Sequence, residues 1–149
     1  TSVTSLDSSS PALQTLNKNL ELNFENPAHE EVCDDFFRYM QRLPRDFDMI
    51  ILDPPAFAKE RRAVKAGLKG YRSINEAAIR ALPPGGLLFT FSCSGLVTRD
   101  DFRGAVLAAA QNTGRNVRIL RQFCQSPCHP VNVAHPEGEY LKGFLLGID

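Results

Sequence analysis

The sequence predicts an α/β fold, a mostly parallel sheet with helices on both faces and an antiparallel last strand. Three observations predict it. Strand-like and helix-like segments alternate along the chain, the pattern of a parallel sheet. Phe47-Asp48-Met49-Ile50-Ile51-Leu52 is an apolar run of the kind found in buried parallel strands, and it stops at Asp53-Pro54-Pro55, where prolines end the pairing. Finally, two strand-like segments, Val117 to Phe123 and Tyr140 to Ile148, have only a proline-rich loop between them, too irregular for a crossover helix.

The elements follow in order. Ser2 to Asp7 reads as a short strand ending at an acid. Ser8 to Ser10 offer N-cap residues, Pro11 an early helical position, and Leu13, Leu16, Leu20 and Phe24 recur at helical spacing. A strand around Glu31-Val32-Cys33 ends at Asp34 and Asp35, and Phe36, Phe37 and Met40 suggest a short helix stopping near Pro44. After the strand that ends at Leu52 comes a basic stretch, Lys59 to Arg72. The stripe Ile74, Ala77, Ala78, Ala81 and Leu82 marks a helix ended by Pro83-Pro84-Gly85-Gly86. Leu87 to Phe91 is a second strong strand running into Ser92-Cys93-Ser94-Gly95. Thr98 caps a helix through about Asn112, with Asp100 and Asp101 in the first turn, where the helix dipole favours acids.

Composition sets limits on function. The chain has 149 residues, enough for one domain with one core, and its 43% hydrophobic and 23% charged residues are ordinary for a globular protein. Seventeen basic and seventeen acidic residues cancel, so a nucleic-acid site must be a local patch. No apolar run reaches the ~20 residues of a membrane span, and no membrane partner is expected. Four cysteines, Cys33, Cys93, Cys124 and Cys128, are too sparse for a disulfide scaffold and fit a reducing cytoplasm. The spacing of Cys124, Cys128, His129 and His135 invites a zinc reading. Adjacent Cys128 and His129 rarely both reach one tetrahedral ion, however, and Pro127 and Pro130 stiffen the segment. No metal is expected, and the loop is read as shaping the substrate pocket, with His135 and Lys142 expected either to support the site residues from behind or to contact RNA.

In open sheets ligands bind beyond the carboxyl ends of the strands. Asp7, Asp34 with Asp35, Asp53 and Cys93 all fall at such ends. That coincidence points to a site independently of any family.

Four stretches then carry a resemblance: Asp53-Pro54-Pro55-Ala56-Phe57, Gly70-Tyr71-Arg72-Ser73-Ile74-Asn75, Thr90-Phe91-Ser92-Cys93-Ser94-Gly95, and His135-Pro136-Glu137-Gly138-Glu139-Tyr140-Leu141-Lys142-Gly143-Phe144. Together and in this order they resemble the class I S-adenosylmethionine-dependent methyltransferases that make 5-methylcytosine in 23S ribosomal RNA. The resemblance implies a Rossmann-like class I methyltransferase sheet. It also implies a partial domain over residues 1–149, because no G-x-G-x-G occurs and the chain starts at what resembles the second strand. The first strand, its glycine-rich turn and the family's N-terminal RNA-binding domain are expected to be missing. Such a sheet should be split with an apolar edge exposed, and the piece should bind cofactor weakly by itself.

The resemblance assigns roles. Asp7 would accept the ribose hydroxyls of the cofactor, although an acid before a helix also answers the dipole. Asp35, or its neighbour Asp34, would bond the adenine amino group, although paired aspartates after a strand are often caps. Asp53 would orient the cytosine edge or the methionine amine, and the carbonyl of Pro54, free of any ladder, can accept from cofactor or base. Cys93 would attack cytosine carbon 6 and make carbon 5 nucleophilic. Lys59, Arg61, Arg62, Lys65, Lys69 and Arg72, against the single acid Glu60, would hold RNA phosphates, with Tyr71 stacking on a base. The cofactor is expected to be S-adenosyl-L-methionine, the partner ribosomal RNA, and a homodimer is allowed. Two rival readings remain. One is a methyltransferase of the same fold acting on another RNA atom or a small molecule, and the other is a non-catalytic binding remnant of the fold.

Overall fold

The computed structural model describes residues 2–149 and divides them into two compact units, one ending at Arg42 and one spanning Leu43–Asp149. The smaller unit holds strand β1 (Val3–Asp7), helix α1 (Ser10–Asn23), strand β2 (His29–Cys33) and helix α2 (Phe36–Met40). Strands β1 and β2 pair in parallel, with Asp7 opposite Cys33. Helix α1 starts where its capping chemistry says it should. Ser9 accepts the Ala12 N–H, Pro11 sits in the first turn, and Leu13 is buried. Phe24 does not join the stripe. It lies just past the helix in an extended conformation and is 61% exposed.

The larger unit holds β3 (Met49–Leu52), α3 (Val64–Ala81), β4 (Leu87–Ser92), α4 (Arg99–Thr113), β5 (Val117–Phe123) and β6 (Lys142–Ile148). Its four-stranded sheet has the order β3-β4-β6-β5. The β3–β4 pair is parallel and β6 runs antiparallel to both neighbours, as the missing crossover helix predicts. Among the described residues the strands form two sheets, the β1–β2 pair of the smaller unit and this four-stranded one, in which β3 is an edge.

One expectation fails inside the larger unit. Its two helices do not cover both faces, because β3→β4 and β4→β5 both step the same way along the sheet, and right-handed crossovers in one direction land on one side. That side is the core: Leu88, Thr90 and Ser92 of β4 and Phe144, Leu146 and Ile148 of β6 are fully buried there. Phe102 of α4 stacks on Phe144 with ring centroids 5.4 Å apart and meets the Tyr71 ring edge-on at 5.2 Å. Such pairs each add about 0.5–1.5 kcal/mol beyond area burial. On the opposite face Met49 and Ile51 are 47% and 65% exposed.

Helix α4 begins with a reciprocal cap. Thr98 accepts the Asp101 N–H while the Asp101 carboxylate accepts the Thr98 N–H, and Gly114 closes the helix in the left-handed region. Gly143 serves another purpose. A Cβ there would lie 2.4 Å from the Phe91 ring, so only glycine lets that ring cross onto β6. Among the described residues no helix is long and apolar enough to cross a membrane.

Candidate functional site

Strand β4 ends at Ser92, and Cys93 leads directly into a tight bend over Ser94–Val97, closed by the Val97 N–H on the Ser94 carbonyl. The Cys93 thiol is half-buried and points to the carbonyl of Pro54, with Sγ to O at 3.8 Å. Pro54 lies two residues beyond the end of β3. The β3–β4 ladder stops at Leu52, so the Pro54 carbonyl lies outside it and is left to meet the thiol. Asp53 beside it is exposed. The motifs around Cys93 and Asp53, 40 residues apart in sequence, are therefore neighbours in space.

Ser94 holds this bend in place. Its hydroxyl accepts the Ala58 N–H at 3.2 Å and lies 2.8 Å from the Tyr71 hydroxyl. Its carbonyl accepts from Lys142 Nζ at 2.6 Å and from the Val97 N–H at 3.1 Å. Phe57 in turn packs on the glycine face of α3, where a Cβ at Gly70 would sit 3.1 Å from its ring, and its ring centroid is 4.6 Å from that of Tyr71. All four stretches that carried the family resemblance thus converge on one turn.

Tyr71 requires a correction. It is fully buried between Phe57 and Phe102, so its ring cannot stack on a base. A tyrosine flanked by basic residues resembles a surface residue in sequence, but at helical spacing it falls on the inner face of α3. The exposed aromatic beside the bend is Tyr140, 45% exposed, whose Cβ is 4.0 Å from where a side chain at Gly95 would begin. Sequence reasoning passed over it because it read Tyr140 as the start of a strand, whereas β6 begins only at Lys142.

The basic stretch also divides. Lys59, Arg61 and Arg62 are exposed ahead of the helix, and Arg62 pairs with Glu60 at 2.6 Å. Lys65, Lys69 and Arg72 lie on α3 at successive turns and line a groove of about 370 Å³. Asp100 and Asp101 of α4 line the same groove, so the local excess of positive charge is smaller than the run of sequence suggests.

In the smaller unit, Asp7 ends β1, is exposed, and accepts the Ser9 N–H at 2.7 Å. The two aspartates after β2 part company. Asp34 is buried and its carboxylate is occupied by the guanidinium groups of Arg38 and Arg42. The Arg38 hydrogen bond, outweighing the opposing effect of burial, holds the Asp34 carboxyl below the ordinary carboxylate value, with help from the Asp35 N–H and the charges of Arg38 and Arg42. The Asp34 carboxylate is thus already engaged within the smaller unit. Asp35 is exposed and caps α2 by accepting the Arg38 N–H at 2.9 Å. Asp7 and Asp35 consequently stand at the same, carboxyl end of two adjacent parallel strands, the place where such sheets bind nucleotides.

Cys124 and Cys128 are exposed free thiols, and His135 lies 3.5 Å from Glu137. Among the described residues no group of three or more His, Cys, Asp or Glu side chains is placed to hold a metal ion.

No family model matches the chain. Among curated proteins it is similar to ribosomal RNA large subunit methyltransferase I of Cronobacter sakazakii and of Klebsiella pneumoniae, each 44% identical over 98% of this chain and 38% of the relative. The chain therefore spans a little over a third of the length of these relatives. Among solved structures, one described as a methyltransferase complexed with SAH superposes with a TM-score of 0.80 at 23% identity, covering 97% of this chain and 38% of that one. A second, described as a SAM-dependent methyltransferase from Streptococcus mutans, gives 0.77 at 22% identity over the same shares. The chain thus carries part of the Rossmann-like fold of these methyltransferases, and along nearly its whole length it is similar in sequence to ribosomal RNA large subunit methyltransferase I.

Proposed function

We propose that this chain is part of the catalytic domain of an S-adenosylmethionine-dependent methyltransferase that modifies carbon 5 of a cytosine in large-subunit ribosomal RNA. The observation that carries the reading is the Cys93 thiol, half-exposed at the tip of β4 and set against the Pro54 carbonyl by the Ser94 turn. S-adenosylmethionine supplies the electrophilic methyl group. The exposed carboxylates of Asp7 and Asp35 suit its adenosine portion, because they offer acceptors for ribose hydroxyls and an exocyclic amine.

The chemistry needs a nucleophile because carbon 5 of cytosine is a poor one. Cys93 loses its proton and the sulfur adds to carbon 6, which gives carbon 5 the electron density to take the methyl group. A base then removes the carbon 5 proton, the ring double bond re-forms, and the sulfur departs. Asp53, exposed next to the thiol's acceptor, would orient the base edge, and Tyr140 offers the open aromatic face that Tyr71 does not. Lys59, Arg61, Lys69 and Arg72 attract phosphates, and a paired target would be flipped out of its helix to enter. The reading carries with it a cytoplasmic protein that contacts ribosomal RNA, with a homodimer as its candidate assembly.

The test is a trap. RNA carrying 5-fluorocytosine has no carbon 5 proton to lose, so the adduct persists after methyl transfer. With S-adenosylmethionine present, the protein should form a covalent complex that resists denaturation and disappears in Cys93→Ala. Absence of the complex in protein shown to bind the cofactor by calorimetry would reject the cytosine-5 mechanism.

A further inference from the structure

Lys142 opens β6 and is only 5% exposed. Burying an ammonium is costly unless it is paired, yet the partner it reaches, the Ser94 carbonyl, is neutral and already accepts from Val97. A neutral side chain of the same length would fill this place at lower cost. The position of the charge offers an explanation. The Lys142 backbone is the cross-strand partner of Ser92 and its ammonium bonds the Ser94 carbonyl, so the lysine is anchored to the residues on either side of Cys93.

We propose that Lys142 is the positioning residue for Cys93, tethering the bend after β4 through the Ser94 carbonyl and presenting its positive charge to the sulfur once the thiol proton has left. The electrostatics run in the same sense. Burial holds the Lys142 ammonium below its ordinary value, a negative sulfur at Cys93 acts the opposite way, and the Arg99 guanidinium on α4 adds to the lowering. Lys142 does not need to touch substrate for this role. Its contribution is to keep the thiol aimed and reactive.

The inference rests on reading Cys93 as the nucleophile, and its test is kept apart from methyl transfer. Alkylation of Cys93 by iodoacetamide is followed by peptide mass spectrometry in the whole chain, with the exposed Cys33, Cys124 and Cys128 as internal references. Lys142→Met removes both charge and tether, and Lys142→Gln keeps a donor for the Ser94 carbonyl but removes the charge. Both should slow alkylation of Cys93 about tenfold while the reference cysteines keep their rates. In Lys142→Ala, ethylammonium should restore the rate in proportion to its concentration and ethanol should not.

A Lys142→Gln protein that alkylates Cys93 at the wild-type rate overturns the proposal, and so does equal rescue by ethanol. Because Gln retains the hydrogen bond, this variant decides the matter even if the Met variant fails to fold. The 5-fluorocytosine trap separates the two readings. A negative trap with slow alkylation in Lys142→Gln rejects the proposed reaction and leaves the role of Lys142 standing.

Discussion

The hydroxyls of Tyr71 and Ser94 lie 2.8 Å apart in the interior of the larger unit, linking the middle of α3 to the bend that carries Cys93. Tyr71→Phe keeps the ring packed against Phe57 and Phe102 and leaves Ser94 its bond from the Ala58 N–H. Its cost should be about 1 kcal/mol. Tyr71→Ala removes the ring as well and should cost about 3–5 kcal/mol. Urea unfolding of the two variants checks the ordering, and a Phe variant as damaging as the Ala variant would show that the hydroxyl pair, not the ring, dominates.

Gly143 and Phe91 give a second expectation. In Gly143→Ala the new methyl would meet the Phe91 ring at 2.4 Å and Phe123 Cβ at 3.2 Å, so strand or ring must shift. Overpacking of this kind costs about 1–3 kcal/mol. Shortening the ring with Phe91→Leu in the same chain should recover part of the loss, because the two sites couple directly. A double-mutant cycle with no coupling would contradict the packing described.

Asp34 makes the smaller unit sensitive to acid. Its carboxyl is held below the ordinary value in the fold, chiefly by Arg38, so the unfolded chain binds its proton more readily than the native one. The stabilisation is fully present above the ordinary carboxylate value and fades as pH falls through the depressed native value. Amide exchange in α2 should accelerate across that acidic range in the wild type. In Asp34→Asn exchange should already be fast at neutral pH and change little on acidification.

Ile51 stands on the open face of β3, 65% exposed. Ile51→Lys should change the melting behaviour little, within about ±0.5 kcal/mol. It should also reduce self-association at high concentration, because a charge discourages strand-to-strand pairing. Light scattering over a concentration series reads the second effect and thermal unfolding the first.

Much of this was legible in the residues. Ser9 with Pro11, and Thr98 with Asp101, mark their helix starts by local chemistry, and β5 runs from Val117 to Phe123 as its composition suggests. The start of α3 was not legible. Ala63 provides no side-chain cap, and the lysines and arginines that follow look like a solvated loop until their spacing along one helix face is seen. The Asp34–Arg38 pair could have been read, since Arg38 follows at i+4, the spacing at which opposite charges meet, whereas Arg42 reaches the same carboxylate from beyond the end of α2. Ser94 and Tyr71 could not. Their partners come from distant segments, and only the folded chain brings Ala58, Tyr71 and Lys142 to one serine.

Those three anchors come from the segment after β3, from α3 and from β6, and none of them touches the side chain at position 93 through a hydrogen bond of its own. The atom carried at that position can therefore be exchanged without disturbing its mounting. A Cys93→Ser chain would hold an oxygen where the sulfur stood, so any difference in reactivity would report the element rather than its placement.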